Sequence, residues 1–450
     1  MTYIYDLHQQ YGSIVRVAPN EISCVDLESV TRVYKMGGGF EKAQWLDGFA
    51  EKLPALTLSL LTDRDEARER RKLLQRSFTL PSLRRNWEPE IRHNAELAVS
   101  KIREEALEGV ANTHKWWTLM AADIISQLSF GQSFGMLELR RSNFYMKAIE
   151  IALLGAVFKS ELQILHYIFR LIPRSSLQTL SRCLDQVGAA GKDGVEKLSK
   201  QEDKTRSLFK EMISDCEKDG RPWLSDDTVQ TEAAGMMVAG SDTTAAVLTY
   251  LIWSVLRQER LQHMLEEEIA GLGEDFDDKT LEECPVLGAV IEETLRLYPA
   301  APSSLPRRVP REGVTLLSYF VPADTVMCSP AYTLHRDAEI FPEPHKYECP
   351  SRLNNHLLTF EPRFDARRYL DPAKVQLKQR QAMIAWGGGA RVCIGQHLAM
   401  MELRLATALF FKYCRGAKLS SKMPHDSMDM VDHVLLSPKR KRCDITLTNE

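Results

Sequence analysis

No apolar run in this chain of 450 residues approaches the roughly 20 residues that a bilayer-spanning helix needs. The best candidate, 233–253, carries Asp242 and several hydroxyls, so no span is expected. A signal-peptide pattern is missing at Met1. There is no Cys-x-x-Cys pair: nine cysteines, an odd number, lie scattered, which argues against a disulfide framework or a zinc site and for a reducing compartment. Neither charge is in surplus. With 58 Lys and Arg against 61 Asp and Glu the net charge is −3, and nucleic-acid binding is not expected. Basic runs at 68–71 and 439–442 are read first as solvated faces and second as partner-docking sites. No Pro/Gly/Ser linker, repeat or low-complexity tract divides the chain, so residues 1–450 are expected to form one large unit. Its hydrophobic content of 44% is ample for a core.

Residues 13–25 alternate around Pro19-Asn20, the pattern of strand, turn, strand. Helical periodicity then dominates over 64–78, 81–107, 116–130, 140–172, 195–218, 226–270 and 279–298. Four prolines in 299–310 break it. Short β-prone runs follow at 314–317, 325–329, 434–436 and 443–447. The fold class expected is mainly α with small β-sheets.

Chemistry concentrates in Trp386-Gly387-Gly388-Gly389-Ala390-Arg391-Val392-Cys393-Ile394-Gly395, followed by an apolar run over 397–411. Glycines allow positive φ and a close approach of the backbone to a flat ligand. A cysteine at a helix start, two residues from an arginine, is biased toward thiolate, the metal-binding form. Alone, such a cysteine is more often a small buried apolar residue. Presented on a glycine loop beside a cation, it suits the axial position of haem iron.

This string resembles the haem-binding loop of the cytochrome P-450 family, F-x-x-G-x-R-x-C-x-G. Gly389, Arg391, Cys393 and Gly395 fill fixed places, and Trp386 stands where Phe is usual. The resemblance implies a large helical domain with a minor β-region. It also implies haem b with Cys393 as axial ligand of the iron, and a monooxygenase that draws electrons from NADPH through a reductase, with cytochrome b5 as a further donor.

Other motifs fall into the same family pattern. Ala239-Gly240-Ser241-Asp242-Thr243-Thr244 lies inside a helix that Ser225 would cap. A glycine in mid-helix costs ~1 kcal/mol relative to Ala, and Thr243 can bond back to the carbonyl of Ala239. Either this is a tolerated packing glycine beside hydroxyls, or a polar notch. By resemblance Gly240 leaves room for O2, Thr243 orients proton-delivering groups and Asp242 gates the relay. Glu293 and Arg296 are three apart on one helix face. By resemblance they form a buried structural network with Arg368, in a segment where Ala366 replaces the usual proline. Haem propionates need forked cations. The resemblance offers Arg391, Arg307, Arg70 and, more weakly, His335; Glu66 occupies the place that Trp or His usually takes beside Arg70. Met236, Met237, Ala300, Ser303, Leu305 and Leu435 would line a pocket for a lipophilic small molecule.

Residues 349–363 interrupt the family spacing, as a surface loop or as unspliced sequence, and leave 347–348 and 364–365 competing for one slot. Segment 149–172 is read equally as a lid over the pocket and as a peripheral membrane contact. Family members from eukaryotes normally carry an N-terminal anchor, absent here. The expected location is the endoplasmic reticulum surface if an anchor is missing from this chain, and otherwise the cytoplasm, as a monomer. Residues 11–23 and 115–118 are similar to filamentous-fungal members that tailor secondary metabolites. Two rivals are a reductase-independent haem-thiolate peroxygenase or isomerase, and an inactive haem-binding protein.

Overall fold

A computed structural model describes residues 1–46, 56–142, 206–218, 220, 224–303, 305–344, 364–371 and 375–448. The segment 149–172 and the insertion 349–363 lie outside the described residues. The chain divides into two compact units, each assembled from stretches distant in sequence, which is why no linker composition marks either.

The first unit comprises Met1–Phe40, Tyr250–Cys393 and Val434–Leu436. Its hairpin is the one the alternation predicts, with strand Ile14–Ala18 antiparallel to Glu21–Cys24. The second of these pairs in parallel with Val326–Cys328, Ser23 facing Cys328. That strand in turn pairs with Arg307–Arg308, so Arg307 lies opposite Met327. Asp26 caps the helix Leu27–Val33, accepting from the Ser29 amide at 2.8 Å. Valines and aromatics from these segments, among them Val30, Val33, Tyr34, Val309 and Phe341, form a buried core with Ile384, and Leu305 packs on it. Helix Pro285–Leu297 opens on a proline, where the missing N–H costs nothing. Both carboxylate oxygens of Glu268 accept from the next two amides, those of Val286 and Leu287.

The second unit comprises Glu41–Thr249, Ile394–His433 and Ser437–Glu450. Helix Glu88–Glu108 packs against Gln396–Tyr413 and against Thr113–Phe130. Trp116, Trp117, Phe410 and Phe411 are buried there, with Trp117 and Phe410 edge-on at 6.2 Å. A small sheet orders Ala111–Asn112, Asp444–Thr446 and Lys418–Leu419 side by side.

Three of the expected periodic stretches each resolve into two helices, 279–298 among them as Asp278–Glu282 and Pro285–Leu297. The stretch 81–107 breaks at Trp87 (φ −133°), because Pro89 opens a new helix. The stretch 226–270 breaks after Leu256, where Gln258 leaves helical φ and its side chain donates to Phe364 O at 3.1 Å. Among the described residues no helix is long and apolar enough to cross a membrane.

Candidate functional site

In the first unit the glycine-rich loop has a definite shape. Gly387 and Gly389 have φ of +73° and +61°, a region in which side chains are strained. A Cβ on Gly389 would also sit 2.2 Å from Tyr34 O, so glycine is required there twice over. A 3₁₀ turn, Gly389–Arg391, leads to Cys393, whose amide closes the loop onto Trp386 O at 2.8 Å. Cys393 is exposed, whereas Cys24, Cys284, Cys328, Cys414 and Cys443 are buried. Burial pushes the Cys24 and Cys284 thiols up to about 11 and those of Cys414 and Cys443 to about 12. Of the six cysteines whose side chains are described, only Cys393 is presented for ligation.

Arg307 is 5% exposed. Its guanidinium lies 5.1 Å from the centre of the Tyr34 ring and donates to Pro306 O at 3.1 Å. Burial lowers its pKa, opposed among the described residues by Tyr34 and Cys328. A buried guanidinium that no carboxylate among the described residues balances suits an anionic ligand edge. An exposed sulfur on a rigid loop, with this arginine and Arg391 in the same unit, fits haem.

His335, also expected at a propionate, does not serve there. It is fully buried, its Nδ1 donating to Arg296 O at 2.9 Å while its Nε2 accepts from the Ile384 amide at 3.0 Å. Burial drops its pKa to about 3, so the ring stays neutral and both nitrogens are committed to backbone.

That correction reveals how the loop is supported. Glu293 and Arg296 are wholly buried and paired through two bonds of 2.7 Å, Nε to Oε2 and Nη2 to Oε1. Arg368 reaches Glu293 at 3.5 Å and the Asp365 amide donates to it at 2.8 Å, so 364–368 fill the family slot despite Ala366. Arg296 Nη1 donates to His335 O at 2.7 Å. Ile384, held by His335, accepts from the Gly387 amide at 2.9 Å. Hydrogen bonds therefore run from Glu293 through Arg296, His335 and Ile384 to the first turn of the cysteine loop. Of the expected pocket residues in this unit, Ala300, Ser303, Leu305 and Leu435 are half-buried, and Leu436 N donates to Ala300 O.

In the second unit Ser225 caps the long helix as expected, its Oγ accepting from the Thr228 amide. Thr243 Oγ1 donates to Ala239 O at 2.6 Å, the predicted back-bond. Asp242 is half-buried. For Gly240 the packing reading prevails: a Cβ would lie 2.9 Å from Ile125 Cγ1, so the glycine admits a neighbouring helix. Met237 is fully buried and Met236 nearly so. Arg70 is corrected too. Its fork is taken by Glu66 at 2.7 Å, by Glu232 at 2.9 Å and by Leu56 O at 2.7 Å, so two carboxylates already match its charge. Glu66, in place of Trp or His, is part of the cause. Gly395 precedes helix Gln396–Tyr413 and its carbonyl accepts from the Ala399 amide.

Glu402 escaped the sequence reading, although a lone acid inside the apolar 397–411 run signals it. It is 2% exposed, and its carboxyl hydrogen-bonds the Thr244 side chain, next to Thr243. Burial raises its pKa well above 4.5, which favours the neutral acid. An acid with a raised folded pKa contributes stability below the unfolded value that is lost as pH rises toward the folded one. Glu402→Gln should remove that loss of stability with rising pH. Thermal melts of both proteins between pH 5 and 8 should diverge; parallel curves would mean an ionised, compensated carboxylate.

A family description, Cytochrome P-450, matches residues 1–357 and 360–444. Cytochrome P-450 monooxygenase stcB of Emericella nidulans is 35% identical over 99% of this chain and 83% of its own length. Monooxygenase aflV of Aspergillus parasiticus is 34% identical, over 99% and 86%. Monooxygenase tazI of Aspergillus terreus is 33% identical, over 98% and 87%. A cysteine loop braced by a buried Glu–Arg–Arg network, the long helix with its Asp-Thr pair, and similarity along nearly the full length place this chain in the cytochrome P-450 family of haem-dependent monooxygenases.

Proposed function

We propose that this enzyme inserts one atom of O2 into a lipophilic small molecule of fungal secondary metabolism, at the cost of two electrons and two protons and with release of water. Electrons would come from NADPH through a reductase. The observation that carries the reading is Cys393, exposed on a braced glycine loop, with Arg307 buried and balanced by no carboxylate among the described residues. Bound haem supplies oxygen activation. Cys393 would hold the iron through its sulfur, and Arg307 and Arg391 would hold the propionates.

The remaining chemistry is proton delivery. Thr243 commits its hydroxyl hydrogen to Ala239 O, so its oxygen is left to accept from a water. Rotation about χ1 releases that hydrogen for donation. Asp242, adjacent and half-buried, is the group that can exchange protons with solvent. Met236, Ala300, Ser303, Leu305 and Leu435 are apolar or small, which supports a lipophilic substrate.

Thr243→Ala should keep the haem and its thiolate-type spectrum but divert electrons to hydrogen peroxide, with product per NADPH falling on the order of tenfold or more. Product, peroxide and NADPH measured together check this, and unchanged coupling with a good substrate would remove Thr243 from the relay. Turnover with peroxide but not with NADPH and reductase would replace the monooxygenase reading by the peroxygenase one.

A further inference from the structure

No sequence motif points to Tyr34, yet it touches three segments that the site uses. It follows helix Leu27–Val33, anchored by its amide to Val30 O at 3.0 Å, and is buried. Its hydroxyl donates to Leu305 O at 2.7 Å. Its ring lies under the Arg307 guanidinium at 5.1 Å. Its main chain abuts the cysteine loop: a Cβ on Gly388 would lie 2.9 Å from Tyr34 Cβ, and one on Gly389 would lie 2.2 Å from Tyr34 O.

These contacts have a common consequence. Among the described residues Arg307 otherwise holds main-chain oxygens, Pro306 O at 3.1 Å and Leu305 O at 3.5 Å, and Leu305 O is the atom that Tyr34 holds. A long side chain with no carboxylate partner has several rotamers of similar energy. An aromatic face beneath the guanidinium and an anchored carbonyl beside it select one of them. Burial holds the Tyr34 hydroxyl well above its ordinary pKa, so it remains a donor at any physiological pH.

We propose that Tyr34 is the positioning residue of the haem site: it fixes the Arg307 guanidinium relative to the Cys393 loop, so that a propionate meets the cation while the sulfur meets the iron. This rests on the haem-thiolate reading above. Tyr34 acts through Arg307 and touches no reacting atom.

The test uses the haem-loaded enzyme and follows haem transfer to excess apomyoglobin, with thermal melts alongside. Tyr34→Leu should speed haem loss on the order of tenfold, as loss of a desolvated cation–π contact predicts. Arg307→Lys should do the same, because an ammonium cannot reproduce the fork. The double variant should lose haem no faster than Arg307→Lys alone. Multiplying effects in the double variant, or a Tyr34→Leu rate equal to wild type, overturns the proposal, since simple packing would add independently of Arg307. Should Tyr34→Leu not fold, Tyr34→Phe with and without Arg307→Lys decides on the same criterion, with a roughly threefold effect expected from the lost hydroxyl bond. A wild-type protein without a thiolate-type carbon monoxide spectrum would overturn the haem reading and this proposal together. A normal spectrum with multiplying effects would overturn this proposal alone.

Discussion

Cys393→Ala eliminates the strongly red-shifted Soret band from the carbon monoxide difference spectrum of the reduced protein. The effect should be complete rather than partial, because no other described thiol can take over. Cys24, Cys284, Cys414 and Cys443 are buried, with pKa values raised to about 11 or 12. Cys328 is buried in the sheet with its sulfur against Glu21 Oε1 at 2.9 Å. A thiolate must be both accessible and stabilised to bind iron, and of the six cysteines whose side chains are described only Cys393 stands exposed, on a loop whose glycines keep side chains out of the way. The variant should still fold, since its loop is closed by main-chain bonds, Cys393 N to Trp386 O and Gly387 N to Ile384 O, which alanine retains. Persistence of the red-shifted band would mean that a different cysteine ligates the iron.

Arg296→Ala should prevent accumulation of haem-loaded protein. Burial alone would depress the Arg296 guanidinium, but the charge and hydrogen bonds of Glu293 reverse this and raise its pKa. Removing Arg296 strands a fully buried carboxylate, with only the Asp365 amide and the more distant Arg368 left to it. Breaking a buried pair in this way costs about 3–5 kcal/mol, a large part of the ~5–15 kcal/mol that holds a typical domain. The loss also reaches the site, because the bonds of Arg296 to His335 are the route by which the network steadies Ile384 and the first turn of the cysteine loop. Arg368→Ala should be milder. Its contact is 3.5 Å and it retains slight exposure, while Glu293 keeps its bidentate partner. Haem content and melting temperature of the two variants check the ranking. An Arg296→Ala protein that loads haem and melts within a few degrees of wild type would show the network to be dispensable.

The contacts that spacing alone makes legible share a trait: their partners are close in the chain. Thr243 bonds back four residues to Ala239, Glu293 and Arg296 meet across one helical turn, and the Cys393 amide closes on Trp386 seven residues away. Spacing alone dictates such contacts, because helix period and turn geometry leave few alternatives. The hairpin over 13–25 was readable for the same reason, its two strands flanking a Pro-Asn turn.

The corrections all involve distant partners. His335 was matched by motif to a propionate, but 39 residues separate it from Arg296 and 49 from Ile384, the two groups that consume its nitrogens. Arg70 meets Glu232 across 162 residues, and Gly240 faces Ile125 on another helix. In each case a motif names the residue type while packing decides what remains of its hydrogen-bonding capacity.

By itself, then, the sequence determined the helical class, the back-bond of Thr243 and the Glu293–Arg296 pair, because local geometry and periodicity are properties of neighbours. Only the tertiary structure decided which arginine keeps a charge to offer. Arg307 is buried with no carboxylate beside it among the described residues while Arg70 is satisfied by two, and whether a guanidinium can bind an anion depends on which acids the rest of the chain folds against it.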